Sequence, residues 1–445
     1  MAAADTTSDS SHANAMTSSS RDRTEQTLAL IADTHGEGQR SCLTVYTEQA
    51  RAAAAAADAR AQAGSSLGAL DGVVITIKDL FDVQGEVTRA GSPALARASQ
   101  PAAADAPVVA RLRAAGAVIV AKTNMTELAF SGVGANPHVG TPGNPVDRTR
   151  IPGGSTSGGA VACADGIGVI AIGTDTGGST RIPAALCGLV GFKPTQRRIP
   201  TAGAHALSPS LDSIGPIART VAQCALADAV LAAERASRLA PSTLTSLRVG
   251  VLQGVVLDEL DQQVARAFEH SLKRLQGAQL SDVTLSAQTH IDAVAQRGGI
   301  APREAYDVHR ALMNSAADAL DPNVRVRIQG GAAVSDDAHR ANLEERARAI
   351  ALTDRVFDDY DVLILPTTPI VAPTQAAVAT TDGFAKHNRL LLRNTSIANF
   401  LDLCAISLPA PDPGPLPCGI MLFARSGGDH ALLQAAFSIE AALLH

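Results

Sequence analysis

Apolar and polar positions along this chain fall into blocks that switch between strand and helix periods. Val73-Val74-Ile75-Thr76-Ile77 is a short run rich in β-branched residues and reads as a buried strand. Pro107 to Ala115 reads as a helix, with proline in its first turn and Gly116 just past its end. Val118 to Ala121 and Ile167 to Thr174 follow as strands, then a short helix over Ile182 to Cys187 and a strand over Leu189 to Phe192. Thr220 can cap a helix running from Val221 to Glu234. Leu247 to Leu252 is a further strand, after which Val264, Phe268, Leu272 and Leu275 share one helical face at i, i+4, i+8 and i+11. Residues 301 to 360 are charged and helical, with a break at Gly330-Gly331, and Val362 to Leu365 returns to the core as a strand. Strand and helix in alternation predict an α/β layer structure.

Ahead of the first strand, Thr24 to Ala63 is rich in alanine and charge at helical spacing, and Gly64-Ser65-Ser66-Leu67-Gly68 ends it. One or two helices packed on the outside of the main body are expected there. Residues 1–23 are rich in Ser, Ala and Thr and lack the hydrophobic stretch of a secretory signal. They read as a disordered tail, with Met16 as a second candidate start. The expected organisation is a tail over 1–23, N-terminal helices over 24–64 and a main domain over 65–445.

Composition narrows the field. Hydrophobic residues make up 46% of the 445 and charged residues 18%, enough for a sizeable core in one large or two modest domains. With no Trp and only 3% aromatics, that core must be filled by Ala, Val, Leu and Ile. A formal charge of −6 argues against a nucleic-acid or anionic-membrane partner. The six cysteines are scattered without metal-binding spacing and read as reduced, buried thiols. No apolar run approaches the roughly 20 residues that span a bilayer, so a cytoplasmic placement is expected.

The chemistry is concentrated in one block. Gly153-Gly154-Ser155-Thr156-Ser157-Gly158-Gly159 is followed by a second Gly-Gly-Ser turn at Gly177-Gly178-Ser179, and Ser155 and Ser179 lie 24 residues apart. A serine after two glycines has bare backbone N–H groups beside its hydroxyl, which suits a nucleophile with its own oxyanion hole. Upstream, Lys78 ends the apolar run that begins at Val73. A lysine buried in such a strand tends to lose its proton and can act as a base. The plainer reading of each is a flexible turn, or a surface lysine paired with Asp79 or Asp82. His-Glu-x-x-His and Gly-Lys-Ser/Thr are both missing, which disfavours a zinc protease and a P-loop enzyme.

The block from Gly153 to Pro194 resembles the signature of the amidase signature family, whose triad is Ser–cis-Ser–Lys. Gly72-Val-Val-Ile-Thr-Ile-Lys-Asp-Leu-Phe-Asp-Val is similar to the family's lysine strand, and Ala121-Lys-Thr-Asn-Met-Thr-Glu-Leu to its Gly-Lys-Thr-Asn-Met-x-Glu-Phe turn. Ser210-Leu-Asp-Ser-Ile-Gly-Pro, Leu365-Pro-Thr-Thr-Pro and Asn399-Phe-Leu-Asp-Leu-Cys-Ala-Ile-Ser-Leu-Pro match further segments. The resemblance spans about residues 25 to 440.

It implies a mixed central β-sheet flanked by helices on both faces, and a single amidase domain over the main body. It implies Ser179 as nucleophile and Ser155, joined to Gly154 by a cis peptide bond, as the relay to the base Lys78. Thr156 and Ser157 depart from the commonest family pattern, and the family's spacing from Ser179 selects Ser155 over Ser157 as relay. The implied oxyanion hole is the backbone N–H groups of Thr176, Gly177, Gly178 and Ser179. Asp175 and Arg181 flank the nucleophile as a pair that fixes the turn, with substrate binding as a second role for Arg181. The segment from Ala129 to Ser131 is expected to line the substrate channel, which makes Ser131 a candidate substrate-binding residue. His138 and His205 lie in loops and are not needed by this scheme.

The expected activity is hydrolysis of a linear carboxamide to carboxylate and amine or ammonia through a Ser179 acyl-enzyme, with no metal or organic cofactor. The expected partner is a small-molecule amide, without nucleic acid or membrane, and the family brings a homodimer as an expectation. The alternative is the glutaminase (A-type) subunit of a tRNA-dependent amidotransferase. Such subunits typically carry Arg-Tyr-Gly-Leu-Val-Ala-Phe-Ala-Ser-Ser-Leu-Asp-Gln, where this chain has the shorter Gly203-Ala-His-Ala-Leu-Ser-Pro-Ser-Leu-Asp-Ser.

Overall fold

The computed structural model describes residues 18–444. Eleven strands form one sheet. They are β1 (Cys42–Val45), β2 (Val74–Lys78), β3 (Val118–Thr123), β4 (Ile170–Asp175), β5 (Val190–Lys193) and β6 (Ser213–Ala218), followed by β7 (Arg248–Leu252), β8 (Gln279–Val283), β9 (Val362–Pro366), β10 (Cys404–Pro409) and β11 (Gly419–Ala424). Their order across the sheet is β1-β3-β2-β4-β6-β5-β10-β11-β9-β7-β8. β2 runs parallel to β3 and β4, and β7 parallel to β8 and β9, while β6, β10 and β11 are joined antiparallel to their neighbours.

Alternate residues of one strand enter different cores, which is what helices on both faces require. Ile75 and Ile77 pack with Val108 and Leu112, whereas Val74 packs with Ile31, Ala50 and Ala162. On the other wing, Val362 and Ile364 join Val264 and Phe268, and Leu363 and Leu365 join Ala349 and Ile397. The mixed sheet with helical layers is the architecture expected from the sequence.

The N-terminal region departs from expectation in two respects. A helix begins at Ser20, capped by the Ser19 side chain, so residues 20–23 belong to the fold instead of the expected tail; residues 1–17 lie outside the described part. The segment read as helical throughout contains β1, an edge strand between helices Ser20–Ala32 and Thr47–Gln62. The helix expected over Pro107 to Ala115 spans Pro107–Ala114, and Thr220 caps Val221–Ala232 by accepting from the Gln223 N–H at 3.2 Å. All six cysteines are free and buried. Among the described residues no helix is long and apolar enough to cross a membrane.

Candidate active site

Three neighbouring elements at the centre of the sheet carry the expected site. β2 ends on Lys78, and every residue of the strand is buried. Ser155 lies just ahead of helix Ser157–Ala164, and its peptide bond to Gly154 is cis. Ser179 sits in the turn between β4 and helix Arg181–Cys187. The Thr156 N–H donates to the Ser179 carbonyl at 3.2 Å, which ties the two serine turns together. Gly154 allows the close approach of the first turn, since a Cβ there would lie 2.7 Å from the Gly134 Cα.

Lys78 is 0% exposed, and its Nζ lies 2.8 Å from Ser155 Oγ and 3.0 Å from Thr174 Oγ1. Burial pushes its pKa down to about 7, against the pull of Asp175 and Asp212 in the other direction. Ser157, the rival relay, is buried too, but its hydroxyl has no hydrogen bond. The bonded pair is therefore Lys78 with Ser155.

Asp175 organises the nucleophile turn. Its Oδ1 accepts from the Gly178 N–H at 2.8 Å, Arg181 Nη2 at 2.8 Å and Asn399 Nδ2 at 2.9 Å. Its Oδ2 accepts from the Thr180 N–H at 3.1 Å, Thr180 Oγ1 at 2.9 Å and Arg181 Nε at 3.1 Å. Burial alone would raise its pKa, but the Arg181 guanidinium and the Asn399 amide outweigh burial and hold it below the usual carboxylate range.

This arrangement corrects two expectations. Arg181 is 0% exposed, and besides Asp175 it donates to Asn399 Oδ1, the Thr395 carbonyl and Met421 Sδ. With its donors spent inside the protein it has none for a substrate, so it is the structural half of the pair. Gly178 is the second correction, because its N–H is committed to Asp175. Gly177 and Ser179 have backbone N–H groups without a partner among the described residues, and both line the cavity together with Thr176. Gly178 remains indispensable to the turn for another reason. Its φ is +133°, and a Cβ there would fall 2.2 Å from Thr395 Oγ1.

Ser179 opens into a cavity of about 300 Å³. Ser131 borders it, its Oγ accepting from the Val133 N–H at 2.9 Å. The preceding Leu128 and Ala129 have φ of 51° and 59°, a left-handed conformation that costs L-residues energy and bends the segment against the cavity. Leu207, Leu211, Val294, Ile300 and Phe400 make the remaining walls largely apolar. His138 instead contacts Glu127 at 3.0 Å, and His205 meets His309 with their Nε2 atoms 3.1 Å apart. Among the described residues no group of three or more His, Cys, Asp or Glu side chains is placed to hold a metal ion.

Sequence reasoning did not find Arg327, which borders the cavity from helix Pro322–Gly331. The only signal in the sequence is an arginine beside apolar positions in a charged helical region, a pattern shared by many surface helices. Asp212 stood out in the sequence only as one position of a longer motif. It is buried, accepts from Thr176 Oγ1 at 2.5 Å and from the Leu207 and Ser208 N–H groups, and burial pushes its pKa up to about 6.

Enzymes that hydrolyse C–N bonds with a Ser–Ser–Lys triad and an acyl-enzyme are the class to which this fold and this site belong. The family model described as Amidase matches residues 24–433, and the chain is a member of that family. It is 37% identical over 401 residues to 2-amino-5-chloromuconic acid deaminase of Comamonas testosteroni, covering 88% of this chain and 86% of that one. It is 35% identical to the A-type subunit of glutamyl-tRNA(Gln) amidotransferase from Halobacterium salinarum, over 85% of this chain and 97% of the relative. A crystal structure of an amidase superposes with a TM-score of 0.85 at 30% identity, covering 97% of this chain and 98% of the other.

Proposed function

We propose that this protein is a stand-alone cytoplasmic amidase that hydrolyses small linear carboxamides, with Ser179 as nucleophile, Ser155 as relay and Lys78 as base. The observation that carries the reading is the 2.8 Å contact between Lys78 Nζ and Ser155 Oγ in a fully buried setting. Neutral Lys78 accepts the Ser155 proton while Ser155 accepts that of Ser179, whose Oγ bonds to the amide carbon. The negative charge on the carbonyl oxygen is met by the Gly177 and Ser179 N–H groups. The C–N bond then breaks, and the proton held on Lys78 returns through Ser155 to the departing nitrogen. Water adds to the acyl ester, its proton passes along the same chain, and Ser179 recovers its hydrogen as the acid leaves.

Apolar walls around about 300 Å³ suit short acyl or aryl amides. A relative named for removing the amino group of a small acid supports a small substrate of this kind. The relative that serves in an amidotransferase supports the other reading. Against it stands the short segment from Gly203 to Ser213, whose Leu207 and Leu211 form part of the cavity wall.

The test is ammonia release from a panel of small amides by the purified chain, with Ser179→Ala alongside. Turnover without a second protein or tRNA is expected, and Ser179→Ala should lose on the order of 10³-fold or more with an unchanged thermal melt. A variant that keeps more than about a tenth of the rate ends the Ser179 assignment. Activity that appears only with a co-expressed partner, and only on glutamine, makes the amidotransferase reading the better one.

A further inference from the structure

A chamber of about 50 Å³ adjoins the Ser179 cavity, and Ala129 and Leu207 border both. Its polar lining is Thr174, Thr201, His205 and Asp212, and no Lys or Arg borders it. The sheet register builds one side. Thr174 and Thr176 point to the same face of β4, and the pairing of Asp175 with Ser213 of β6 sets Asp212 opposite Thr176. Residues 201–209 supply the other side, with His205 held by its own N–H on the Leu80 carbonyl at 2.9 Å.

The chamber bears on the relay through Thr174. A neutral amine has two N–H groups and one lone pair. For Lys78 to take the Ser155 proton, the lone pair must face Ser155 Oγ, so an N–H must be directed to Thr174 Oγ1, 3.0 Å away. That polarity holds only while the Thr174 hydroxyl hydrogen is drawn elsewhere. Were it given to Nζ, the lone pair would be occupied and Ser155 would meet an N–H. Thr174 Oγ1 has no partner other than Lys78 among the described residues, so the chamber decides which way its hydrogen turns.

The chamber offers acceptors. Asp212 Oδ1 accepts from Thr176 Oγ1 and Oδ2 from two backbone N–H groups, which leaves Oδ1 a further lone pair. No cation pairs with this carboxylate among the described residues, and Glu304, on helix Ala301–Ala316, adds to the burial that raises its pKa. The histidines contribute a second acceptor. His309 Nδ1 lies 2.7 Å from the Ala305 carbonyl and must carry the hydrogen there, so its Nε2 is bare and accepts from His205 Nε2. His205 Nδ1 is then a bare acceptor as well. Burial holds both rings neutral, with the His205 pKa pushed down to about 4. A polar cavity of this size has room for water, which could accept from Thr174 and donate to Asp212.

We propose that Asp212 is a positioning residue of the relay: through water held in this chamber it draws the Thr174 hydroxyl hydrogen away from Lys78 and keeps the amine's lone pair on Ser155. The inference rests on the Ser179–Ser155–Lys78 reading and gives that relay its direction. Asp212→Asn turns the chamber-facing atom from acceptor to donor while keeping its size, because the amide oxygen is retained by the Leu207 and Ser208 N–H groups.

The experiment follows the rate at which an alkyl fluorophosphonate labels Ser179, across pH, in wild type, Asp212→Asn, Thr174→Val, Thr174→Ser and the Asp212→Asn/Thr174→Val double variant. Asp212→Asn should lower the alkaline plateau by on the order of 10- to 100-fold, the worth of one hydrogen bond to a charged group. Its acid limb should move to lower pH, because Asp175 and Asp212 both pull the Lys78 pKa upward and one of them is gone. Thr174→Val should lower the plateau and Thr174→Ser keep most of it. In the Thr174→Val background, Asp212→Asn should change the plateau by less than about threefold, since both act on one chain. A high-resolution crystal structure of the wild type, which no variant's folding can affect, should show water within hydrogen-bond distance of Thr174 Oγ1 and the Asp212 carboxylate. A shifted limb with a wild-type plateau makes Asp212 only a charge and overturns the proposal, as do effects that multiply in the double variant or a dry chamber. A wild type that is not labelled at Ser179 rejects the Ser179 reading itself and the proposal with it, whereas a labelled wild type matched by Asp212→Asn rejects the role of Asp212 alone.

Discussion

A lysine ammonium needs water or a bound anion, and the pocket around Lys78 places only two hydroxyls in contact with its nitrogen. Asp175 and Asp212 act on it from further away, and Asp175 is already neutralised by Arg181. Burial therefore prevails, and the amine titrates near 7 instead of 10.5. Because the neutral amine is the proton acceptor, the sign is fixed: activity rises as pH climbs through about 7 and levels off on the alkaline side. Lys78→Arg keeps the positive charge but cannot accept a proton, so it should lose on the order of 10³-fold and gain no activity at high pH. A pH–rate series on both proteins checks this, and an active Lys78→Arg enzyme with the wild-type curve would remove Lys78 from the relay. At this scale the triad was legible because Lys78, Ser155 and Ser179 each sit in a motif that matches the family signature at the family's spacing, whereas each residue alone has a plainer reading. The pairing of Arg181 with Asp175 was read as well, but that neither Arg181 nor the Gly178 N–H has a donor to spare was not, because nothing in a linear sequence tells which donors the fold has already used.

Among the elements, the turn from β4 into helix Arg181–Cys187 depends most on a single side chain. Six donors converge on the Asp175 carboxylate, and three of them belong to Gly178 and Thr180 on either side of Ser179. Asp175→Asn keeps the shape but removes the charge that answers Arg181 in a fully buried site. Breaking a buried pair from one side costs about 3–5 kcal/mol, because the remaining charge stays desolvated. The variant should therefore melt at a clearly lower temperature and lose kcat while KM changes less, read by calorimetry and steady-state kinetics. An unchanged melt would mean that the pair holds nothing in place. The strands that local patterning failed to announce have their own reasons. β8 reads Gln-Leu-Ser-Asp-Val and lies at the sheet edge, so no apolar alternation marks it. β6 contains Gly215 and Pro216, which argue against a central strand from sequence. Gly215 is there because a Cβ would lie 2.0 Å from the Phe192 carbonyl of β5.

At the scale of the whole molecule, the chain builds the sheet from both ends toward the middle. β10 and β11 come near the C-terminus, yet they lie between β5 and β9, with β10 hydrogen-bonded to β5. Such a pairing joins residues about two hundred positions apart and leaves no trace in local periodicity, which is why the α/β class was legible but the strand order was not. The site divides the same way. Lys78, Ser155 and Ser179 come from the first half, whereas Arg327, Leu392 and Phe400 close the cavity from the second. The connection between the halves is the irregular stretch 234–243, where Arg235 and Arg238 are exposed. Trypsin should therefore cut there first. The two pieces should stay together, because the β5–β10 ladder and the hydrogen bond from the Val221 N–H to Glu440 Oε1 at 2.9 Å each join one piece to the other. Limited digestion is expected to show two bands under denaturing conditions, one peak by size exclusion and most of the amide-hydrolysing activity. The first half expressed alone, with the whole triad but an open sheet edge at β5, should be inactive and aggregate. An active and monodisperse first half would show that the second is a separate domain, and that the cavity walls it supplies are not needed for the chemistry.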